Sequence, residues 1–240
     1  MSQVKPFPVD TLPAKSHVTG QTTQLKPYAA SLISLSLGSD VLLFGSFTLK
    51  SGRTSPYFFN AGLLHSGEKL LALASAFAAA IHESGVQFDV LFGPAYKGIP
   101  LAAITCVELQ RSFGRTVNYA FNRKEAKDHG EGGSLVGAPL KGQRVLIIDD
   151  VITAGTAIRE AVEIIKLQGG QLVGITESLD RQERGKDGEA SAVQSIEKET
   201  GVPVIAVMTM KDIIAYLGVK GGMDEQLRAM EAYRQQYGVV

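Results

Sequence analysis

Two adjacent carboxylates, Asp149 and Asp150, are followed after Val151 and Ile152 by a run of small and hydroxylic residues, Thr153, Ala154, Gly155 and Thr156. Such a turn can offer main-chain N–H groups and hydroxyls to an anion, and Gly155 allows the backbone to approach it closely. Two acids beside an anion would repel it, yet they are good acceptors for hydroxyl groups. A ligand carrying both functions, a sugar phosphate, satisfies the acids and the turn together. Four apolar residues at 145–148 predict a strand buried on both faces. Residues 156–168 predict a helix with Ile158, Ala161, Val162 and Ile165 on one face and Gly169-Gly170 as its stop. The turn then lies between a strand's carboxyl end and a helix N-terminus, where the helix dipole attracts phosphate.

Three further segments carry candidate chemistry. Residues 93–98, Gly-Pro-Ala-Tyr-Lys-Gly, follow a predicted strand at 88–92, and a glycine-bounded loop with one lysine could hold a second anion. Residues 121–134 bring Arg123, Lys124, Lys127 and His129 together with Glu125, Asp128 and Glu131, and end in Gly130, Gly132 and Gly133. A mixed-charge segment is ordinarily a solvated face. Its departure from a predicted strand at 117–121 instead suggests a mobile loop that closes over an anion and excludes water. Lys50, Phe58 and Phe59 could present a cation and flat apolar faces to a planar base, while Arg181, just past a predicted strand at 172–178, could grip a carboxylate bidentately.

The elements that must position these groups alternate along the chain. Helices are predicted at 25–37, 67–83, 98–112, 156–168, 189–200 and 223–236, interleaved with strands at 88–92, 117–121, 145–148, 172–178 and 204–208. That order implies an α/β fold, a mainly parallel sheet flanked by helices that binds ligands at the strands' carboxyl ends. Aromatic segments around Ser51-Gly52-Arg53 suggest a small antiparallel unit before it. Residues 1–24 contain Pro6, Pro8 and Pro13 and no apolar block; they read as a poorly ordered extension to a single domain over 25–240. With 24 basic and 24 acidic residues, the 240-residue chain has no global field for nucleic acid or an anionic membrane. Its longest charge-free apolar run, 70–81, is too short to span a bilayer, and the single cysteine, Cys106, fits a reducing, cytoplasmic setting. The glycines at 93–98 have P-loop spacing but are followed by Ile99-Pro100, so that motif fails.

The thirteen residues 144–156, RVLIIDDVITAGT, resemble the signature of type I phosphoribosyltransferases, which use 5-phosphoribosyl 1-diphosphate (PRPP). The stretches at 47–63, 91–100, 121–133, 145–160 and 178–185 together resemble the orotate phosphoribosyltransferase family from about Leu25 onward. That resemblance implies the type I phosphoribosyltransferase fold with a small N-terminal hood, and a single reaction: PRPP and orotate giving orotidine 5′-phosphate and diphosphate, in UMP biosynthesis. It implies PRPP binding by Lys50, Tyr96, Lys97, Arg123, Lys124, Lys127, His129, Asp149, Asp150, Val151, Ile152, Thr153, Ala154, Gly155, Thr156 and Ala157, and orotate binding by Phe58, Phe59, Thr153 and Arg181. Lys127, His129, Asp149 and Asp150 are the expected catalytic groups. The resemblance further implies a cis peptide at Ala95–Tyr96, Mg2+ bound mainly through PRPP and water, and a homodimer whose 121–133 loop closes over the neighbouring subunit's site. Transfer to a purine base and non-catalytic PRPP sensing are the rivals. The aromatic pair and Arg181 disfavour the first, and the cationic loop disfavours the second.

Overall fold

A helix-capped antiparallel pair precedes a larger αβ layer. The computed structural model describes residues 25–49, 51–127, 133–185 and 188–239; the extension expected at 1–24 lies outside them. The chain runs α1 (Pro27–Gly38), β1 (Leu42–Thr48), β2 (Thr54–Phe59), α2 (Gly67–Ser84), β3 (Val90–Phe92), α3 (Gly98–Phe113), β4 (Asn118–Lys127), β5 (Gly133–Gly137), β6 (Arg144–Asp149), α4 (Thr156–Leu167), β7 (Gln171–Asp180), α5 (Ala192–Thr200), β8 (Val204–Thr209), α6 (Met210–Lys220) and α7 (Asp224–Tyr237). β1 and β2 form the hood, and the remaining strands make one sheet of order β5-β4-β3-β6-β7-β8. Five of its strands are parallel, and only β5 pairs antiparallel, against β4.

The apolar run at 145–148 supplies both halves of the core. Val145 and Ile147 pack in a cluster with Ile158 and Ile165 of α4 and Ile196 of α5. Leu146 and Ile148 point the other way, into a cluster with Phe77 and Ile81 of α2 and Leu109 of α3. All four strand residues are fully buried, because successive side chains of a strand face opposite sides and helices cover both. The parallel strands therefore end on one shared edge, and the loops following β3, β6 and β7 emerge together there.

Two elements depart from the expectation. The segment predicted as a loop at 121–134 continues β4 to Lys127, because β5 returns alongside it and pairs Asn122 with Leu135 and Lys127 with Gly133. Residues 128–132, including His129, lie outside the described residues, as do the side chain of Lys127 and all of Lys50. α6, absent from the sequence reading, begins immediately after β8. Its apolar residues run on from the strand's, and the boundary is set by a capping box in which Asp212 N–H donates to Thr209 Oγ and Thr209 N–H donates to the Asp212 carboxylate.

Candidate active site

The acidic turn rests on the neighbouring strand. Asp149 ends β6 opposite Glu177 of β7, and its Oδ1 accepts from Asp150 N–H at 2.9 Å. Ser178 donates from both N–H (2.9 Å) and Oγ (2.5 Å) to the Asp150 carbonyl. Glu177 accepts from Ile152 N–H at 2.6 Å through one oxygen, while its other oxygen is buried without a hydrogen-bond partner. Three hydrogen bonds from two consecutive β7 residues thus hold the main chain of 150–152. Beyond it Thr153, Ala154, Thr156 and Ala157 are exposed. Gly155 precedes α4 with φ of 72°, and a Cβ there would lie 2.8 Å from Ile196 Cδ1, so both conformation and space call for glycine. No side chain caps α4, which leaves its first N–H groups oriented toward the expected phosphate position.

The 93–98 loop leaves the adjacent β3. The peptide between Ala95 and Tyr96 is cis, as expected, and a Cβ on Gly93 would collide with the Gly98 carbonyl, so the loop's two ends meet backbone to backbone. Ala95 N–H donates to Asn122 Oδ1 at 2.9 Å, fastening this loop to the start of the cationic segment. Tyr96 is 72% exposed. Lys97 Nζ lies 2.5 Å from Asp150 Oδ2, joining the 93–98 loop to the acidic turn. Lys124 instead approaches Glu160 of α4 at 3.7 Å. An open groove of about 530 Å³ lies between β4 and α4, bounded by Asn122, Arg123, Lys124, Arg159 and Glu163.

Alternation in β2 divides the predicted aromatic pair. Phe58 is 36% exposed and stacks on Phe47 at 5.6 Å, whereas Phe59 is 8% exposed and packs in the core. A base above the hood would meet the Phe58 ring but only the main chain of Phe59. Arg181, at the end of β7, stands under the hood with its guanidinium 4.7 Å from the Tyr57 ring. It donates to Glu183 Oε1 at 2.8 and 2.6 Å and to Ser55 Oγ at 3.3 Å. The Arg181 and Glu183 side chains are only 16% and 12% exposed. An incoming carboxylate would have to share this guanidinium with Glu183.

The phosphoribosyl transferase domain family matches residues 61–210. Orotate phosphoribosyltransferase of Cronobacter sakazakii is 60% identical over 215 residues, covering 90% of this chain and 100% of its own. That of Thioalkalivibrio sulfidiphilus is 59% identical over the same proportions. The chain belongs to the orotate phosphoribosyltransferase family. Among solved structures, the orotate phosphoribosyltransferase of Francisella tularensis superposes with a TM-score of 0.78 at 43% identity, covering 86% of this chain and 98% of that one.

The sequence reading does not single out Asn122, Glu177 or Ser178, which the structure joins to the 93–98 loop and the acidic turn. Glu177 and Ser178 belong to a polar run, Thr176-Glu177-Ser178, that interrupts the apolar residues of 172–179 and is a visible signal. Asn122 carried no comparable signal, since only tertiary structure brings it to Ala95. Burial pushes Glu177 well above the carboxylate range, and the charges of Asp180, Asp149 and Asp150 add to the effect against the Ile152 N–H.

Burial also raises Asp149 to about 6, assisted by the charge of Asp150 and opposed by the Asp150 N–H and by Lys97. Its folded-state value exceeds the ordinary 3.8, so the stabilisation it gives is complete below about pH 4 and is lost as pH rises through about 6. A displacement of roughly two units corresponds to about 3 kcal/mol. Asp149→Asn keeps an Oδ1 acceptor for Asp150 N–H and removes the titration. The variant should therefore be more stable than its parent at pH 7.5, by up to about 3 kcal/mol, with the advantage vanishing near pH 4. Urea denaturation across that range measures it; a parent more stable than the variant at pH 7.5 would contradict the assigned environment.

Proposed function

We propose that the protein transfers the 5-phosphoribosyl group of PRPP to the ring nitrogen of orotate, releasing diphosphate, as a cytoplasmic enzyme of UMP formation. One arrangement carries this reading: the acidic turn after β6, the lysine loop after β3 and Arg181 after β7 share the carboxyl edge of adjacent parallel strands. No described helix is long and apolar enough to cross a membrane.

The main chain of 151–157 and the Thr153 and Thr156 hydroxyls donate to the 5′-phosphate, while Asp149 and Asp150 accept from the ribose hydroxyls. Asp150 is paired with Lys97. PRPP would separate them, giving Asp150 a hydroxyl donor and Lys97, with Tyr96 and Lys50, a diphosphate oxygen. Arg123, Lys124, Lys127 and His129 close over the leaving group, Lys124 exchanging Glu160 for phosphate. The face of Phe58, the main chain of Phe59, Thr153 and Arg181 hold orotate. As diphosphate departs, C1′ gains oxocarbenium character; the protein's work is to hold the base in line, exclude water and stabilise the separating charges. Orotate loses its ring proton readily, so no dedicated strong base is required.

The open acidic edge, with oxygen donors only, suits a hard cation that keeps several waters, and among the described residues no group of three or more His, Cys, Asp or Glu could enclose a metal. Mg2+ held mainly by PRPP and water would offset the leaving-group charge. A homodimer in which the cationic segment of one subunit covers the other's site completes the proposal.

Incubation with PRPP and Mg2+ plus orotate, uracil or hypoxanthine, followed by diphosphate detection, tests the reading. Release should occur with orotate and be weak with uracil, which lacks the carboxylate. Equal use of uracil, or a preference for hypoxanthine, would overturn the substrate assignment.

A further inference from the structure

The loop that carries Arg181 is held in an unfavourable shape. Gln182 has φ of 50°, a left-handed conformation uncommon for a residue with a side chain, and it persists only where the surroundings impose it. Gln182 N–H donates locally to Asp180 Oδ1 at 2.8 Å, and its side-chain oxygen accepts from Lys211 N–H, at the start of α6, at 3.0 Å. The other restraints come from far away in sequence. Val239 N–H donates to the Gln182 carbonyl at 2.9 Å, and Arg184 N–H donates to the Tyr237 carbonyl at 2.9 Å. Gly238 forms an antiparallel bridge with Glu183, the acid that shares Arg181. The Arg184 guanidinium donates to the Gln236 carbonyl.

Arg53, in the hood turn, ties the outer side. Its guanidinium donates to the carbonyls of Arg184 and Gly185 at 2.5 and 3.0 Å and lies 5.0 Å from the Tyr237 ring. The Tyr237 ring in turn packs on Tyr233 of α7 at 5.0 Å. The Arg181 loop is thus clasped between the hood and the segment following α7, mostly through main-chain atoms.

We infer that residues 236–239 and Arg53 form a positioning strap for Arg181, setting affinity for the carboxylate-bearing base rather than for PRPP. The inference rests on the assignment of Arg181 to orotate given above. Its logic is geometric: a guanidinium already shared with Glu183 accepts a second carboxylate only if its fork is fixed, and a shift of about 1 Å in such a group can cost up to 10²-fold. The PRPP turn after β6 is held by different residues, Glu177 and Ser178, so its affinity should not follow the strap.

Val239→Pro removes the N–H that reaches Gln182; Gly238, at φ −70° and ψ 152°, already has the extended conformation a following proline demands. Val239→Ala keeps the N–H and serves as the conservative partner. Proline should raise the KM for orotate at least about fivefold, leave the KM for PRPP within about twofold, and accelerate amide hydrogen exchange at Arg184. Alanine should restore parental values for all three. Arg53→Ala should reproduce the proline result from the opposite side. Unchanged exchange at Arg184 in Val239→Pro, or an alanine variant as impaired as the proline one, would overturn the strap. Faster exchange with an unchanged orotate KM would overturn the positioning role of the strap if Arg181→Ala raises that KM, and would overturn the assignment of Arg181 to orotate if Arg181→Ala leaves it unchanged too. A parallel rise in both KM values would overturn the claim of selectivity.

Discussion

Mixing two inactive variants, Lys127→Ala and Asp149→Asn, should restore about a quarter of wild-type activity when the subunits are unfolded together and refolded at equal amounts, by counting sites in a two-fold dimer. Each parent homodimer should be nearly inactive, since losing one charge-stabilising or acceptor group at the reacting centre commonly costs ~10²–10³ in turnover. The outcome depends on ownership. If the segment between β4 and β5 covers the partner's site, each mixed dimer holds one site with both lesions and one with neither. The strands that flank this segment, β4 and β5, pair Lys127 with Gly133. No recovery, with heterodimers demonstrated by differently tagged subunits, would mean that the segment serves its own subunit.

The second large effect concerns the base. Arg181→Ala should raise the KM for orotate by about 100-fold, the equivalent of ~3 kcal/mol for a hydrogen-bonded charge partner, while the KM for PRPP changes little. The ion pair with Glu183 adds a consequence for the fold, because the substitution leaves a carboxylate that is only 12% exposed without its cation. Arg181→Ala should therefore also lower thermal stability, and adding Glu183→Gln should recover much of that stability without recovering orotate affinity. Recovery of orotate affinity in the double variant would show that Arg181 acts only by neutralising Glu183. An unchanged orotate KM in the single variant would remove Arg181 from the base site altogether.

Much of this protein was legible in one dimension because its chemistry is concentrated in short contiguous segments. The run Asp149 to Ala157 contains its own strand end, acids, glycine and helix start, so local periodicity and residue type sufficed to place this acidic turn at a strand's carboxyl edge. The same held for the glycine-bounded loop after β3, where apolar strand residues and helix-forming residues flank the turn directly. What required the tertiary structure were facts that depend on a partner distant in sequence. β4 extends through the charged segment because β5 pairs with it, and no periodicity within 121–127 announces that pairing. Phe58 and Phe59 look equivalent as neighbours, and the direction of β2 against the core decides that one ring is available and the other is not. Arg181 stands in a polar run from which a candidate carboxylate grip can be read but not its burial, which arises from Tyr57 and Ser55 in the hood and from the segment that bridges to Glu183. Glu177 keeps a buried carboxyl beneath the acidic turn because Ile152 N–H needs an acceptor there. The sequence by itself determined which charged and hydroxylic groups stand at the carboxyl edge of which kind of sheet, since strand alternation and helix starts are local. Only the tertiary structure decided what holds those groups still, because the restraining hydrogen bonds span from 25 residues, between Ile152 and Glu177, to more than a hundred, between Arg53 and the Arg181 loop.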